Sequence, residues 1–91
     1  MGQYASPFGI VELTAEREQH IMTFHPEVVR VRTHFAEAVA SPDKTRSSKY
    51  DESVVIHYKQ IDGTFLAVVI KKSLQRNFIL TAYLTSRIQN L

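Results

Sequence analysis

The sequence predicts an α+β domain in which two N-terminal helices pack on one face of a four-stranded antiparallel sheet. Three observations predict it. Apolar runs rich in β-branched and aromatic residues crowd the C-terminal half, at Val54-Val55-Ile56-His57-Tyr58, Phe65-Leu66-Ala67-Val68-Val69-Ile70 and Phe78-Ile79-Leu80-Thr81-Ala82-Tyr83-Leu84. Asp62-Gly63 separates the first two runs, and this dipeptide supplies the positive φ of a tight hairpin turn. Residues 14–40 instead carry helix signals, with a threonine ahead of an acidic first turn and a proline dividing two segments.

In chain order, residues 1–9 hold Gly2, Pro7 and Gly9 without a hydrophobic period and read as a flexible leader to a single domain over 10–91. Met1-Gly2-Gln3-Tyr4-Ala5-Ser6 matches the N-myristoylation pattern, but a glycine and a serine suffice for that match and chance supplies it readily. Ile10-Val11-Glu12-Leu13 is an extended lead-in. Thr14 caps a helix over 15–24, with Glu16 and Glu18 placed where the macrodipole favours anions. Leu13, Arg17, Ile21 and Phe24 fall near one side, so the stem of Arg17 helps to cover the core. Pro26 removes the bond back to Met22, ends this helix at His25 and suits the first position of the next. That second segment runs past an interruption near Arg32-Thr33 to Ser41-Pro42-Asp43. Polar residues 44–50 suit an edge strand, and three further strands form a meander over 53–84. Residues 85–91 are a tail, frayed or forming one helical turn.

Strict alternation sends Val54, Ile56 and Tyr58 to the helices and Val55, His57 and Lys59 to the open face. In the last strand it sends Phe78, Leu80 and Ala82 inward, leaving Ile79, Thr81 and Tyr83 outside. A slip of one residue reverses either assignment. The expected core is Ile21, Phe24, Val39, Ile56, Val68, Ile70, Phe78 and Leu80.

Composition bounds the chemistry. Of 91 residues 44% are hydrophobic and 22% charged, which is globular rather than disordered. With no cysteine there is no disulfide, thiolate metal site or cysteine nucleophile. No stretch approaches the ~20 apolar residues of a membrane span, and no secretory signal is visible, so the expected setting is cytoplasmic. Net charge is +2, but residues 44–91 hold eight Lys/Arg against three Asp/Glu, whereas residues 1–43 are acidic. Such asymmetry either draws a polyanion to the stranded half or simply keeps the chain soluble.

His20, His25, His34 and His57 are the side chains that titrate near neutrality. His20 and His25 lie about 140° apart on a continuous helix, which does not suit a shared metal, so neither a metal nor a cofactor is expected. There is no glycine-rich phosphate loop, serine elbow or paired-carboxylate motif.

Leu13-Thr14-x-Glu16-Arg17-x-x-His20-Ile21, His25-Pro26-Glu27, Pro42-Asp43, His57-Tyr58-Lys59, Val68-Val69 and Thr81-Ala82-Tyr83 occur in this order over residues 13–88. Together they resemble the phage and toxin nuclease-like domains of the barnase–EndoU–colicin–RelE (BECR) superfamily, whose two N-terminal helices and four-stranded antiparallel sheet match the fold expected above. His57-Tyr58 departs from the tyrosine pair expected in the second strand. The resemblance implies a small metal-independent endoribonuclease, with 2′-OH attack on the adjacent phosphate. In that reading His20 or His25 is base or acid, Thr81 and Tyr83 donate to phosphate, and Arg46, His57, Lys59 and Arg87 hold the RNA. The alternative is a non-catalytic protein on the same scaffold, binding RNA or a protein partner such as an antitoxin.

Overall fold

A computed structural model describes residues 2–88. It contains strands β1 (Gly2–Ser6) and β2 (Gly9–Leu13), helix α1 (Ala15–Phe24), a 3₁₀ segment (Pro26–His34) and helix α2 (Phe35–Ala40). Strands β3 (Lys44–Ser47), β4 (Val54–Ile61), β5 (Thr64–Lys71) and β6 (Asn77–Thr85) complete it. The fold is α+β, but the expected sheet is corrected. It is six-stranded and mixed, in the order β1-β2-β6-β5-β4-β3, rather than four-stranded and antiparallel.

The difference comes from the N-terminus, where the expected leader is a β-hairpin. Gly9 (φ 120) turns the chain in a conformation that L side chains rarely adopt, and the Ser6 hydroxyl closes the turn on the Gly9 carbonyl at 2.6 Å. β1 and β2 then pair from Gly2↔Leu13 to Ser6↔Gly9. β2 joins the sheet parallel to β6, through Val11↔Asn77 and Glu12↔Phe78. The helices therefore lie between two groups of strands, not at the N-terminus. The tail expected over 85–91 is described only to Ile88, and residues 89–91 lie outside the described residues.

α1 forms as its ends dictate. The Thr14 hydroxyl accepts from the Arg17 amide at 3.2 Å, and the His25 amide closes the last turn on the Ile21 carbonyl at 2.7 Å. Beyond Pro26 a run of β-branched valines gives 3₁₀ geometry with a break at Val31 (φ −115, ψ 15), one residue ahead of the expected interruption. The β4–β5 hairpin follows its turn chemistry: Asp62 (φ 47) and Gly63 (φ 84) both adopt the positive φ of a two-residue type I′ turn.

The helix-facing core contains Val11, Leu13, Ile21, Val28, Phe35, Val39, Val55, Leu66, Val68, Ile70, Ile79 and Ala82. A second cluster, Ile56, Tyr58 and Ala67 flanked by Phe65, Val69, Tyr83 and Ile88, occupies the opposite face. The alternation assigned to β4 is thus reversed, with Val55, His57 and Lys59 facing the helices. β6 breaks its own alternation through a bulge: Val69 pairs with Thr81 but Ile70 pairs with Ile79, leaving Leu80 as the extra residue. Ile79 consequently turns into the core, Phe78 turns out, and Ala82, Thr81 and Tyr83 keep their expected sides. Phe24, expected in the core, is 67% exposed.

Candidate functional site

β2 covers only the first two residues of β6, and beyond them α1 lies along the β6 edge instead of a strand. Arg17 and His25 mark that line. The Arg17 guanidinium donates to the carbonyl of the bulged Leu80 at 3.4 Å. The His25 ring lies 6.0 Å from the Tyr83 ring, inclined at 42°. Buried Ile21 sits four residues from each, so one row of the helix is pinned to the core in its middle and offers a cation and an imidazole at its ends. Thr81 and Tyr83, two residues apart beyond the bulge, lie on the side that carries Tyr58.

Around this line His25 and Tyr83 have polar partners and Thr81 has none. His25 is about one-third exposed, and its Nδ1 lies 3.6 Å from the Glu27 carboxylate. With Nδ1 turned to that carboxylate, Nε2 is left to take or give a proton. Burial, reinforced by the neighbouring Tyr58 hydroxyl, raises the Tyr83 phenol above its usual range, so at neutral pH Tyr83 is a proton-bearing donor. Thr81 Oγ1 is buried without a hydrogen-bond partner, the one such side-chain atom among the described residues. An orphaned buried hydroxyl costs about 1–3 kcal/mol unless something binds it.

The remaining predicted site residues divide between the two faces. Arg46 pairs with Ile56 across β3–β4 and therefore lies on the same face as Tyr58, exposed at the sheet edge. Arg87 is exposed just past β6, its amide bonded to the Thr85 hydroxyl at 3.4 Å. His20 does not join Tyr83; it is exposed and its ring packs against Phe24 at 4.8 Å.

His57 is 2% exposed and faces the helices, which removes it as an RNA contact. Its Nδ1 lies 3.2 Å from the Ala38 carbonyl, which can only accept, so Nδ1 carries the proton. Phe8, from the unexpected hairpin, packs edge-on to the ring at 5.7 Å. Burial pushes this imidazole below its usual range, against the opposing pull of the Ala38 and Val39 carbonyls.

Lys59 lies on the same helix-facing side, with Nζ 3.3 Å from Glu37, 3.5 Å from Asp43 and 3.2 Å from the Ser41 carbonyl. The bond to Glu37 is the main cause that raises its ammonium above the usual range. Lys59 ties α2 to the sheet and is not an open cation.

Sequence reasoning missed Arg17, Glu27 and Tyr58 as members of the site. The eight-residue spacing of Arg17 and His25 around Ile21 was the available signal for the first. Among the described residues no three His, Asp or Glu side chains converge as metal ligands, and no helix is long and apolar enough to cross a membrane. No protein-family model, curated protein or solved structure matches this chain.

Proposed function

We propose that this protein is a small endoribonuclease that cleaves single-stranded RNA at the β6 edge without a metal ion. The observation that carries the reading is the His25 imidazole, set between the Glu27 carboxylate and the Tyr83 ring, with the unpartnered Thr81 hydroxyl two residues before Tyr83 on β6. His25 Nε2 takes the proton of the ribose 2′-OH, the 2′ oxygen attacks the adjacent phosphorus, and the bond to the 5′ oxygen breaks. Tyr83 supplies the proton to that leaving oxygen, while Thr81 and Arg17 donate to the charged phosphorane. The products are a 2′,3′-cyclic phosphate and a 5′-hydroxyl. Arg46 and Arg87 hold the backbone, and half-buried Phe65, Phe78 and Tyr83 offer ring faces to bases.

This chemistry agrees with the motif resemblance to BECR nuclease-like domains, and with it a toxin- or phage-related role in the cytoplasm, restrained by an antitoxin or other inhibitor protein. The test is incubation with a diverse RNA pool in EDTA. The reading expects cleavage, with cyclic phosphate ends.

One observation favours a second reading, a non-catalytic RNA-binding module. An aromatic sheet face beside open arginines holds RNA by stacking and phosphate contact whether or not it cuts. Salt-sensitive RNA binding with no cleavage of the pool selects that reading, and absence of RNA binding at low salt selects a protein partner.

A further inference from the structure

A groove of about 370 Å³ opens between the 3₁₀ segment and the far end of the sheet. It lies within the ~300–1,000 Å³ typical of small-ligand clefts. Its floor is apolar: Val31, at the break in the 3₁₀ segment, meets Ile61 of β4 and Leu84 of β6. Its rim is charged, with Glu27, Arg30 and His34 on one side and Asp62, at the β4–β5 turn, on the other. Arg30, His34 and Asp62 make no ion pair among the described residues, although both signs of charge line the same groove. Glu27 belongs to both places, lining the groove while its carboxylate faces His25 Nδ1.

We infer that this groove binds one ribonucleotide of the RNA strand, next to the phosphate attacked by the 2′ oxygen that His25 deprotonates. The chemistry matches part by part. A flat base covers the Val31, Ile61 and Leu84 floor and removes it from water. Its 5′ phosphate lies between Arg30 and His34, where a guanidinium without a carboxylate partner is free to make a charge-assisted fork. Asp62 accepts from a base amino group or a ribose hydroxyl, which a simple anion lacks. The shared Glu27 couples an occupied groove to the imidazole that performs the proton transfer. This inference rests on the ribonuclease reading for its position in the substrate, but nucleotide binding by the groove is measurable alone.

The experiment titrates the full chain with each of the four ribonucleoside 5′-monophosphates, and separately with inorganic phosphate, following backbone amides by NMR. RNA cleavage is measured on the same preparation. Nucleotides should perturb the amides of Val31, Ile61 and Leu84, and inorganic phosphate should do so far more weakly. Arg30→Gln should weaken nucleotide binding about tenfold or more, the loss of one charge-assisted contact. Asp62→Asn, which keeps a residue tolerant of positive φ, should change the ranking of the four bases. Inorganic phosphate matching the nucleotides would overturn the inference, as would nucleotide shifts that avoid the groove. Cleavage without groove binding sinks the groove alone. Groove binding without cleavage sinks the ribonuclease reading and leaves the nucleotide site standing.

Discussion

The helix-facing side of the β4–β5–β6 sheet is aliphatic and the other side carries Tyr58, Phe65 and Tyr83, and the two treat polar groups in opposite ways. On the helix-facing side the one fully buried polar side chain, His57, is bonded to the Ala38 carbonyl and boxed by Phe8. On the other side Thr81 Oγ1 is buried without a hydrogen-bond partner, two residues before the half-buried Tyr83 whose ring meets the His25 imidazole. A satisfied buried group holds a fold together, whereas an unsatisfied one is a cost that a ligand can remove.

Core truncation should give the largest contrast. Phe35→Ala in α2 or Ile79→Ala in β6, both fully buried between the helices and the sheet, should cost about 2–5 kcal/mol in urea unfolding. Val69→Ala, half-buried on the other face, should cost clearly less. Equal losses would mean that the open face is as covered as the core.

Next come the rings. Phe65→Ala should weaken single-stranded RNA binding by about 1–3 kcal/mol, the value of one base stack, as read by fluorescence anisotropy. Lys59→Gln should leave RNA affinity unchanged, since Lys59 is held by Glu37 and Asp43 on the helix side. An affinity loss at Lys59 with none at Phe65 would exchange the roles of the two faces.

Thr81→Val sharpens the same contrast with a smaller change. Removing an orphaned hydroxyl should leave stability unchanged or raise it by about 1 kcal/mol, while lowering the cleavage rate. A loss of stability would show that the hydroxyl already has a partner.

The smallest effect concerns His57 and pH. Its folded pKa lies below the ordinary 6.5, so as pH falls through 6.5 the unfolded chain takes up a proton that the folded protein refuses. Stability from this group is therefore full above that pH and declines below it toward the folded pKa. Thermal melts of wild type and His57→Phe between pH 7 and 5 should differ in slope, with the variant flatter. Parallel slopes would remove His57 from the account.

Local chemistry was legible in the sequence, and choices between equivalent surfaces were not. The Thr14 cap, the stop at Pro26 and the Asp62-Gly63 turn each depend on a few adjacent residues, and the structure follows them. The N-terminal hairpin was illegible because Gly2-Gln3-Tyr4-Ala5-Ser6 carries little apolar signal, and β2 finds its second partner at Asn77 and Phe78, far along the chain. The sides of β4 were ambiguous because Val55 and Ile56 are equally suited to burial. Without a glycine or proline to mark it, the Leu80 bulge was invisible, yet it turns Ile79 into the core while Thr81 and Tyr83 stay on the other side. As for the site, the sequence pointed to His25, Thr81 and Tyr83. It could not show that His20 turns to Phe24 or that Arg17 reaches β6.

Proton transfer by His25 at the β6 edge is decided by single-turnover cleavage with wild type and His25→Ala. RNA affinity and melting temperature should be measured on the same preparations. The rate should fall about 10²–10⁴-fold with affinity and stability nearly unchanged, because general acid–base catalysis contributes that much. A variant that melts earlier but cleaves at the wild-type rate per folded molecule would contradict it, leaving His25 as the residue that merely joins α1 to the 3₁₀ segment.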